Sequence, residues 1–308
     1  VKSLLKKLLL GIEHPQEYIC AGADDVENVL NSYVLAGDKK IAAGKDLLFL
    51  GYSPLIMSLE TSEEISNREI IFCLENKDRI LAKIVLEIQE KFLLEGKFLF
   101  LLKGKSSEQK FETGFHQFML RLYDRFRPKH NFNIDLDPQL YNQVKIAYSL
   151  PREIKLITLG KENQWNIFPT DLHGFFGKEH YIISLRHDKK ACAQVEENGM
   201  LALWSISKNY AQQAYALGKN HSQELSSSTE FFTENKSLVL HLPEPKGAIS
   251  CMELKLEKVI GDYGIHRLLL FKIISGNKDE NPERLVHLHR SYVQWHLKNG
   301  FAFAEEKR

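Results

Sequence analysis

Cysteine and proline are scarce in this 308-residue chain, at 4 and 9. Cys20, Cys73, Cys192 and Cys251 are scattered, with no CxxC pair and no histidine at the spacing of a zinc site. A chain of this length buries a core without covalent staples, so the cysteines read as reduced thiols of a cytoplasmic protein. Long apolar runs are missing too. The longest stretch, residues 47–59, is broken by Gly51, Ser53 and Pro54 and falls short of the ~20 residues a membrane-spanning helix needs. The start of the chain sets Lys2, Lys6 and Lys7 among a few leucines with no small-residue cleavage site after them, which reads as an amphipathic surface helix, not a secretory leader. Neither sign of charge dominates: 41 Lys and Arg face 40 Asp and Glu. That balance excludes a whole-molecule attraction to nucleic acid or to an anionic membrane.

What is present is ordinary globular material, 44% hydrophobic and 26% charged. The length points to two domains. In the first half, residues 1–36 read as helical, with Asp24 and Asp25 opening a second helix. Residues 47–50, 55–59, 70–74 and 98–102 read as strands, and 80–88 fits either state. Phe111, Phe115, Phe118, Met119, Leu122 and Phe126 fall on one helical stripe, which predicts a core-facing helix beginning near Ser107 and ended by Pro128. Gly104-Lys105-Ser106 looks like the end of a phosphate-binding loop, but that motif needs glycine at position 99, which is Leu. Arg121, Arg125, Arg127 and Lys129 read as cations at a helix C-terminus in preference to a nucleic-acid patch. Asp137-Pro138 opens a short helix that runs to about Tyr148. Ser149-Leu150-Pro151 is the expected boundary between domains 1–149 and 150–308. No internal repeat is legible.

The second half is strand-rich, with strands expected at 154–159, 165–168, 180–186, 200–205, 237–242, 251–259 and 265–274. Met252, Leu254 and Leu256 alternate with Glu253, Lys255 and Glu257, the mark of a sheet with one wet face. Gly261-Asp262-Tyr263-Gly264 makes a hairpin turn. The expected fold is α+β: a mainly antiparallel, closed or split C-terminal barrel behind an α+β N-terminal domain.

Two stretches carry candidate chemistry. Asp188 reads as the N-cap of a helix whose inner face is Ala191, Cys192 and Val195 and which stops at Asn198-Gly199. Lys189 and Lys190 sit at its positive end, where a cation is unfavourable. With Arg186 just before them they make sense around an anion, a phosphate above all; the alternative is that they point to water. The second stretch is Asn166 to Asp171. Pro169 inside a strand-like run forces an edge or a bulge, where backbone groups, Asn166 and Thr170 meet a flat polar ring. The alternative there is an ordinary strand-ending turn. His287 and His289 alternate on a strand, but two ligands alone do not make a metal site.

The succession of these features over residues 154–274 resembles the flavin reductase-like, FMN-binding split-barrel family. Ile-Lys-Leu-Ile-Thr-Leu leads to Trp-Asn-Ile-Phe-Pro-Thr. Tyr-Ile-Ile-Ser-Leu-Arg is followed by a helix opening Lys-Lys-Ala-Cys, then by Met-Leu-Ala-Leu-Trp-Ser-Ile and Cys-Met-Glu-Leu-Lys-Leu-Glu-Lys-Val-Ile. The resemblance implies FMN as cofactor, NADH or NADPH as electron donor, and a small-molecule electron acceptor. It puts ring and ribityl contacts on Asn166, Pro169, Thr170 and Asp171. Phosphate contacts fall on Ser184, Arg186, Lys189 and Lys190, with His221 and Ser222 nearby. Ala191 stands where the family often has threonine. No catalytic acid or base is required, because a flavin carries its own chemistry. The implied function is a NAD(P)H-dependent flavin reductase-like oxidoreductase. The alternative is a non-catalytic flavin-binding or vestigial dimerisation module whose N-terminal domain binds a partner. The family commonly forms homodimers, and an apolar tail at 285–303 with Tyr292, Trp295, Phe301 and Phe303 supports the same expectation.

Overall fold

The computed structural model describes residues 17–116, 118, 119, 122, 136–161, 163–276 and 281–303. After β1 (Tyr18–Gly22) come β2 (Asn31–Ala36), β3 (Lys39–Ala42), β4 (Leu47–Tyr52), β5 (Leu55–Thr61), β6 (Glu69–Asn76), β7 (Arg79–Leu94) and β8 (Lys97–Gln109). Strands β2 to β8 form a seven-stranded antiparallel sheet in the order β3-β2-β6-β7-β8-β5-β4. Helix α1 (Pro138–Ala147) follows, its first N–H groups bonded by the Asp137 carboxylate as the Asp-Pro pair predicts. Beyond β9 (Arg152–Glu153) come β10 (Lys155–Lys161), β11 (Gln164–Thr170), β12 (His173–Phe176), β13 (His180–Arg186), α2 (Lys190–Asn198), β14 (Met200–Ile206) and α3 (Ala211–Ala216). The small hairpin β15 (Phe232–Lys236) with β16 (Pro243–Pro245) precedes β17 (Ala248–Tyr263), β18 (His266–Ser275), β19 (Leu285–His289) and α4 (Arg290–Lys298). A second seven-stranded antiparallel sheet runs β11-β10-β14-β17-β18-β13-β12.

The two sheets share one topology. With the seven strands of each lettered a to g along the chain, both run b-a-e-f-g-d-c. The fifth-to-seventh strands show it most plainly. β7 and β17 are each sixteen residues long, and each turns back through two residues, Leu94 pairing with Lys97 and Tyr263 with His266. The fourth strands also agree in part: Leu55-Ile56-Met57-Ser58-Leu59-Glu60 and Tyr181-Ile182-Ile183-Ser184-Leu185-Arg186 share Ile, Ser and Leu at the same positions. The shared order is not legible in the sequence because the connections between corresponding strands differ in length. Between strands d and e the first sheet has the helix-free segment 62–68, and the second has α2. Between e and f the first has the turn Lys77-Asp78, and the second has residues 207–247.

The N-terminal core gathers β4, β5, β6 and β8 side chains such as Phe49, Leu59, Phe72 and Phe100 under α1. It also takes in Val286, Leu288, Tyr292 and Val293 from the far end of the chain. β19 pairs with β1 on one side and β9 on the other. The tail expected to be an exposed patch is therefore covered within the chain: Tyr292 is buried and, with Trp295, packs on Phe111. The C-terminal sheet has its own core of Ile157, Phe168, Tyr181, Leu203 and Phe271 beneath α2.

Several sequence expectations are corrected. Residues 18–22 and 31–36 are strands, and Asp25 caps the Gly22 N–H at 2.8 Å where a helix start was expected. Ser107 lies inside β8, and the helical residues begin at 114. Phe115 and Phe118 are 58% and 61% exposed, so of the aromatic stripe Phe111 packs on the core and these two do not; Arg121, Arg125, Phe126, Arg127 and Lys129 lie outside the described residues. Residues 237–242 are a turn, flanked by β15 and β16. No helix among the described residues is long and apolar enough to cross a membrane.

Candidate functional site

β11 is an edge strand of the C-terminal sheet, and its end opens on a cavity of about 220 Å³. Pro169, Thr170 and Asp171 form one wall; Ala214, Tyr215, Gly218 and His221 form another; His287 of β19 and Ile154 close it. The edge of β11 is largely satisfied already. Asn220 Nδ2 donates to the Ile167 carbonyl at 2.8 Å, His221 Nε2 to that of Pro169 at 2.8 Å, and Trp165 exchanges two backbone hydrogen bonds with Ser226.

Asp171 is the electrostatic centre. Tyr148 Oη donates to its Oδ2 at 2.7 Å. His287 Nε2 stands 2.8 Å from the same oxygen, off the line of a good hydrogen bond. Arg152 donates to the Asp171 carbonyl at 3.2 Å and to that of Phe49 at 2.8 Å. Burial alone would raise the Asp171 carboxyl, but His287, Tyr148 and Arg152 outweigh it and hold it well below the usual carboxylate range. Tyr148 is pushed the other way, by burial and by that carboxylate. The His221 imidazole is lowered by burial. It donates from Nε2 to a carbonyl, so its Nδ1 is an acceptor.

The second cluster lies at the end of β13. Arg186 holds Asp188 bidentately, Nε to Oδ1 at 2.9 Å and Nη2 to Oδ2 at 2.6 Å. Asp188 is therefore not the helix cap. The cap position is Lys189, with no side-chain hydrogen bond, and α2 starts with its first N–H groups unclaimed by a cap. Lys189 lies 3.8 Å from Asp188, and Lys190 pairs with Glu224 at 2.5 Å. Beneath them Ser184 Oγ is 3.3 Å from His266 Nδ1. Burial, then the charge of Arg186, lowers His266 to about 4. Tyr52, from the N-terminal sheet, packs on the His266 ring at 4.5 Å; burial raises its phenol, and the charge of Arg186 works against that. The segment that carries His221 joins the clusters: Asn220 accepts from Asn166 of β11 at 3.1 Å, and Gln194 of α2 donates to the Gln223 carbonyl at 2.9 Å.

The sequence-predicted residues thus divide. Pro169, Thr170, Asp171 and His221 meet at the cavity. Ser184, Arg186, Lys189 and Lys190 meet around the α2 start, and Ser222 is exposed beyond His221. Asn166 is a strut instead of a free donor: it is buried, and Nδ2 donates to Gln194 at 2.7 Å and to the Asn220 carbonyl at 3.1 Å. Ala191 is fully buried in the core beneath α2, so a hydroxyl there would face apolar side chains. Sequence reasoning missed Tyr52, Tyr148, Arg152, Tyr215 and the part His287 plays. The only local signal was the His287-x-His289 pair, and the two rings part company. His287 faces Asp171, and His289 faces Glu17 and Tyr141.

No protein-family model matches the chain, and no curated protein matches it. Solved structures do, over about half its length. The NADH:FAD oxidoreductase of Streptomyces globisporus aligns with a TM-score of 0.42 and 13% identity, over 50% of this chain and 93% of that one. An FMN-binding protein from Thermus thermophilus aligns with a TM-score of 0.39 and 13% identity, over 51% and 83%. The styrene monooxygenase flavin reductase of Pseudomonas putida aligns with a TM-score of 0.39 and 14% identity, over 49% and 93%.

Proposed function

We propose that residues 150–308 form a split β-barrel that binds FMN, and that the chain is a flavin reductase-like oxidoreductase drawing electrons from NADH or NADPH for a small-molecule acceptor. The observation that carries this reading is the uncapped start of α2, flanked by Arg186, Lys189 and Lys190, on a helix that Gln194 ties to the chain just past His221 of the cavity wall, donating to the Gln223 carbonyl at 2.9 Å. Helix N–H groups without a cap favour an anion, and a phosphate meets them well. The cavity is smaller than the ~300–1,000 Å³ of sites that engulf a drug-sized ligand. It fits a ring-sized part of the cofactor, with the rest lying along the surface toward Lys189. The polar residues lining that part are His221, Thr170 and Asp171, the last already paired with His287.

A bound flavin supplies the hydride and electron chemistry itself. The chain's residues bind and orient. Lys189 and the α2 N–H groups hold the phosphate, while Tyr148 and Arg152 fix Asp171 so that His287 keeps one position in the cavity wall. Ile154, Ala214 and the Pro169 ring limit water there.

The same site contains one observation for the alternative, a non-catalytic flavin-binding or vestigial module. Arg186 and Lys190 already have carboxylate partners in Asp188 and Glu224. Titrating the purified protein with FMN, then following NADH or NADPH oxidation in its presence, separates the readings. Binding with nicotinamide-dependent flavin reduction supports the enzyme. Binding without turnover supports the module, and no binding removes the flavin from both.

A further inference from the structure

We infer that the N-terminal sheet is a duplicate of the C-terminal one and takes the place a second subunit would hold, so that one chain is a complete two-sheet unit with one anion site. The shared strand order is the first support. The packing between the sheets is the second, because it is self-matching. One buried cluster joins them, with Leu50, Ile56, Leu99 and Leu101 from the first sheet and Phe176, Ile182, Leu268 and Leu270 from the second. Strand by strand these are one residue on c, one on d and two on g in each copy. Such an isologous contact, in which the same patch meets itself, is the hallmark of a twofold dimer.

The turns repeat the reciprocity. Glu95, in the β7–β8 turn, accepts from the N–H of Lys178, in the β12–β13 connection, at 3.0 Å and lies 2.8 Å from Nδ1 of His180, the first residue of β13. In return Ile265, in the β17–β18 turn, donates its N–H to the Ser53 carbonyl at 3.1 Å, in the β4–β5 connection. The copies differ where anion chemistry would sit. The position of Arg186 in the matched hexapeptide is Glu60 in the first copy, paired there with Lys97. The helix that follows Arg186 has no counterpart after Glu60, where 62–68 is irregular. A carboxylate with no helix start repels a phosphate. The first sheet instead lends the Tyr52 ring to the second sheet's His266, the strand partner of Arg186. The face of β12, β13 and β18 that a second chain would need is occupied within the chain.

Light scattering on the 308-residue chain at micromolar concentration should return its single-chain mass of 35.6 kDa; a dimer of chains overturns the inference. This readout needs no flavin. The stoichiometry and Tyr52 readouts rest on the FMN reading. Calorimetric titration should give one FMN per chain, and two per chain would mean that the first copy binds as well. Tyr52→Phe removes the hydroxyl whose surroundings Arg186 shares and should weaken FMN about threefold to tenfold, at 1.4 kcal/mol per decade, with thermal stability unchanged. Unaltered FMN affinity in that variant would remove the first sheet from the site. Absence of any FMN binding would sink the flavin reading and leave the mass to decide this one.

Discussion

Arg186 is the sharpest place to test the anion site, because the structure gives it a competitor. Its guanidinium is spent on both oxygens of Asp188. The Asp188 side chain is 45% exposed, so that pair is screened and worth only ~0–1 kcal/mol. Charge-assisted bonds from the same guanidinium to a phosphate are worth ~1.5–3 kcal/mol. The net gain on exchanging one partner for the other is then about 1–2 kcal/mol. Arg186→Ala should weaken FMN roughly five- to thirtyfold, at 1.4 kcal/mol per decade. Asp188→Asn keeps the side-chain shape and removes the competing charge; it should tighten FMN by up to about fivefold. Riboflavin, which lacks the phosphate, should bind all three proteins within about twofold. Flavin fluorescence titrations with both ligands supply the comparison, and added salt should shrink the FMN differences. Equal weakening of riboflavin and FMN by Arg186→Ala would show that the arginine supports the fold. Weaker FMN binding in Asp188→Asn would show that the carboxylate positions the arginine and does not compete for it.

Acid should destabilise the fold between pH 6.5 and 4, since burial lowers both His266 and His173 from 6.5 to about 4. The unfolded chain takes up protons there that the folded chain refuses, at up to ~1.4 kcal/mol per pH unit per histidine. Stability from these two groups is complete above pH 6.5, so urea midpoints should fall from pH 7 to pH 5; equal midpoints would contradict the assignment. Glu253 is fully buried and accepts from the N–H groups of Val239 at 3.0 Å and Leu240 at 2.6 Å and from the Ser275 hydroxyl. Glu253→Ala strands those donors and should cost about 3 kcal/mol in chemical denaturation, with Glu253→Gln retaining part of it. Gly264 has φ +63°, and a Cβ there would lie 2.0 Å from the Ser53 carbonyl oxygen across the two sheets. Gly264→Ala should therefore lower the melting temperature clearly more than Gly199→Ala, whose φ is +66° with open space around it and which should cost only about 1 kcal/mol. Equal losses would argue against the contact between sheets.

Features that depend on a few neighbouring residues were legible in the sequence. Asp137-Pro138 starts α1, Gly199 ends α2 in the left-handed region, and Met252, Leu254 and Leu256 mark the inner face of β17. Each is decided by backbone bonding or side-chain alternation over one or two turns of chain. The order of features in residues 154–274 likewise led to the two clusters of candidate site residues. The tertiary structure decided the rest. Glu253 occupies a wet position by alternation, yet it is fully buried because residues 239 and 240 fold back over it. Phe115 and Phe118 keep helical spacing, but the core they were expected to fill is taken by Tyr292 and its neighbours from the chain's far end. Asp171 gains His287 because β19 returns past the end of β11, and His266 beside Arg186 gains Tyr52 because one sheet packs on the other. The doubled topology has the same cause. Strand order is a relation among segments far apart in sequence, kept by which faces bury each other, and insertions in one copy alone erase any fixed period while leaving those faces intact.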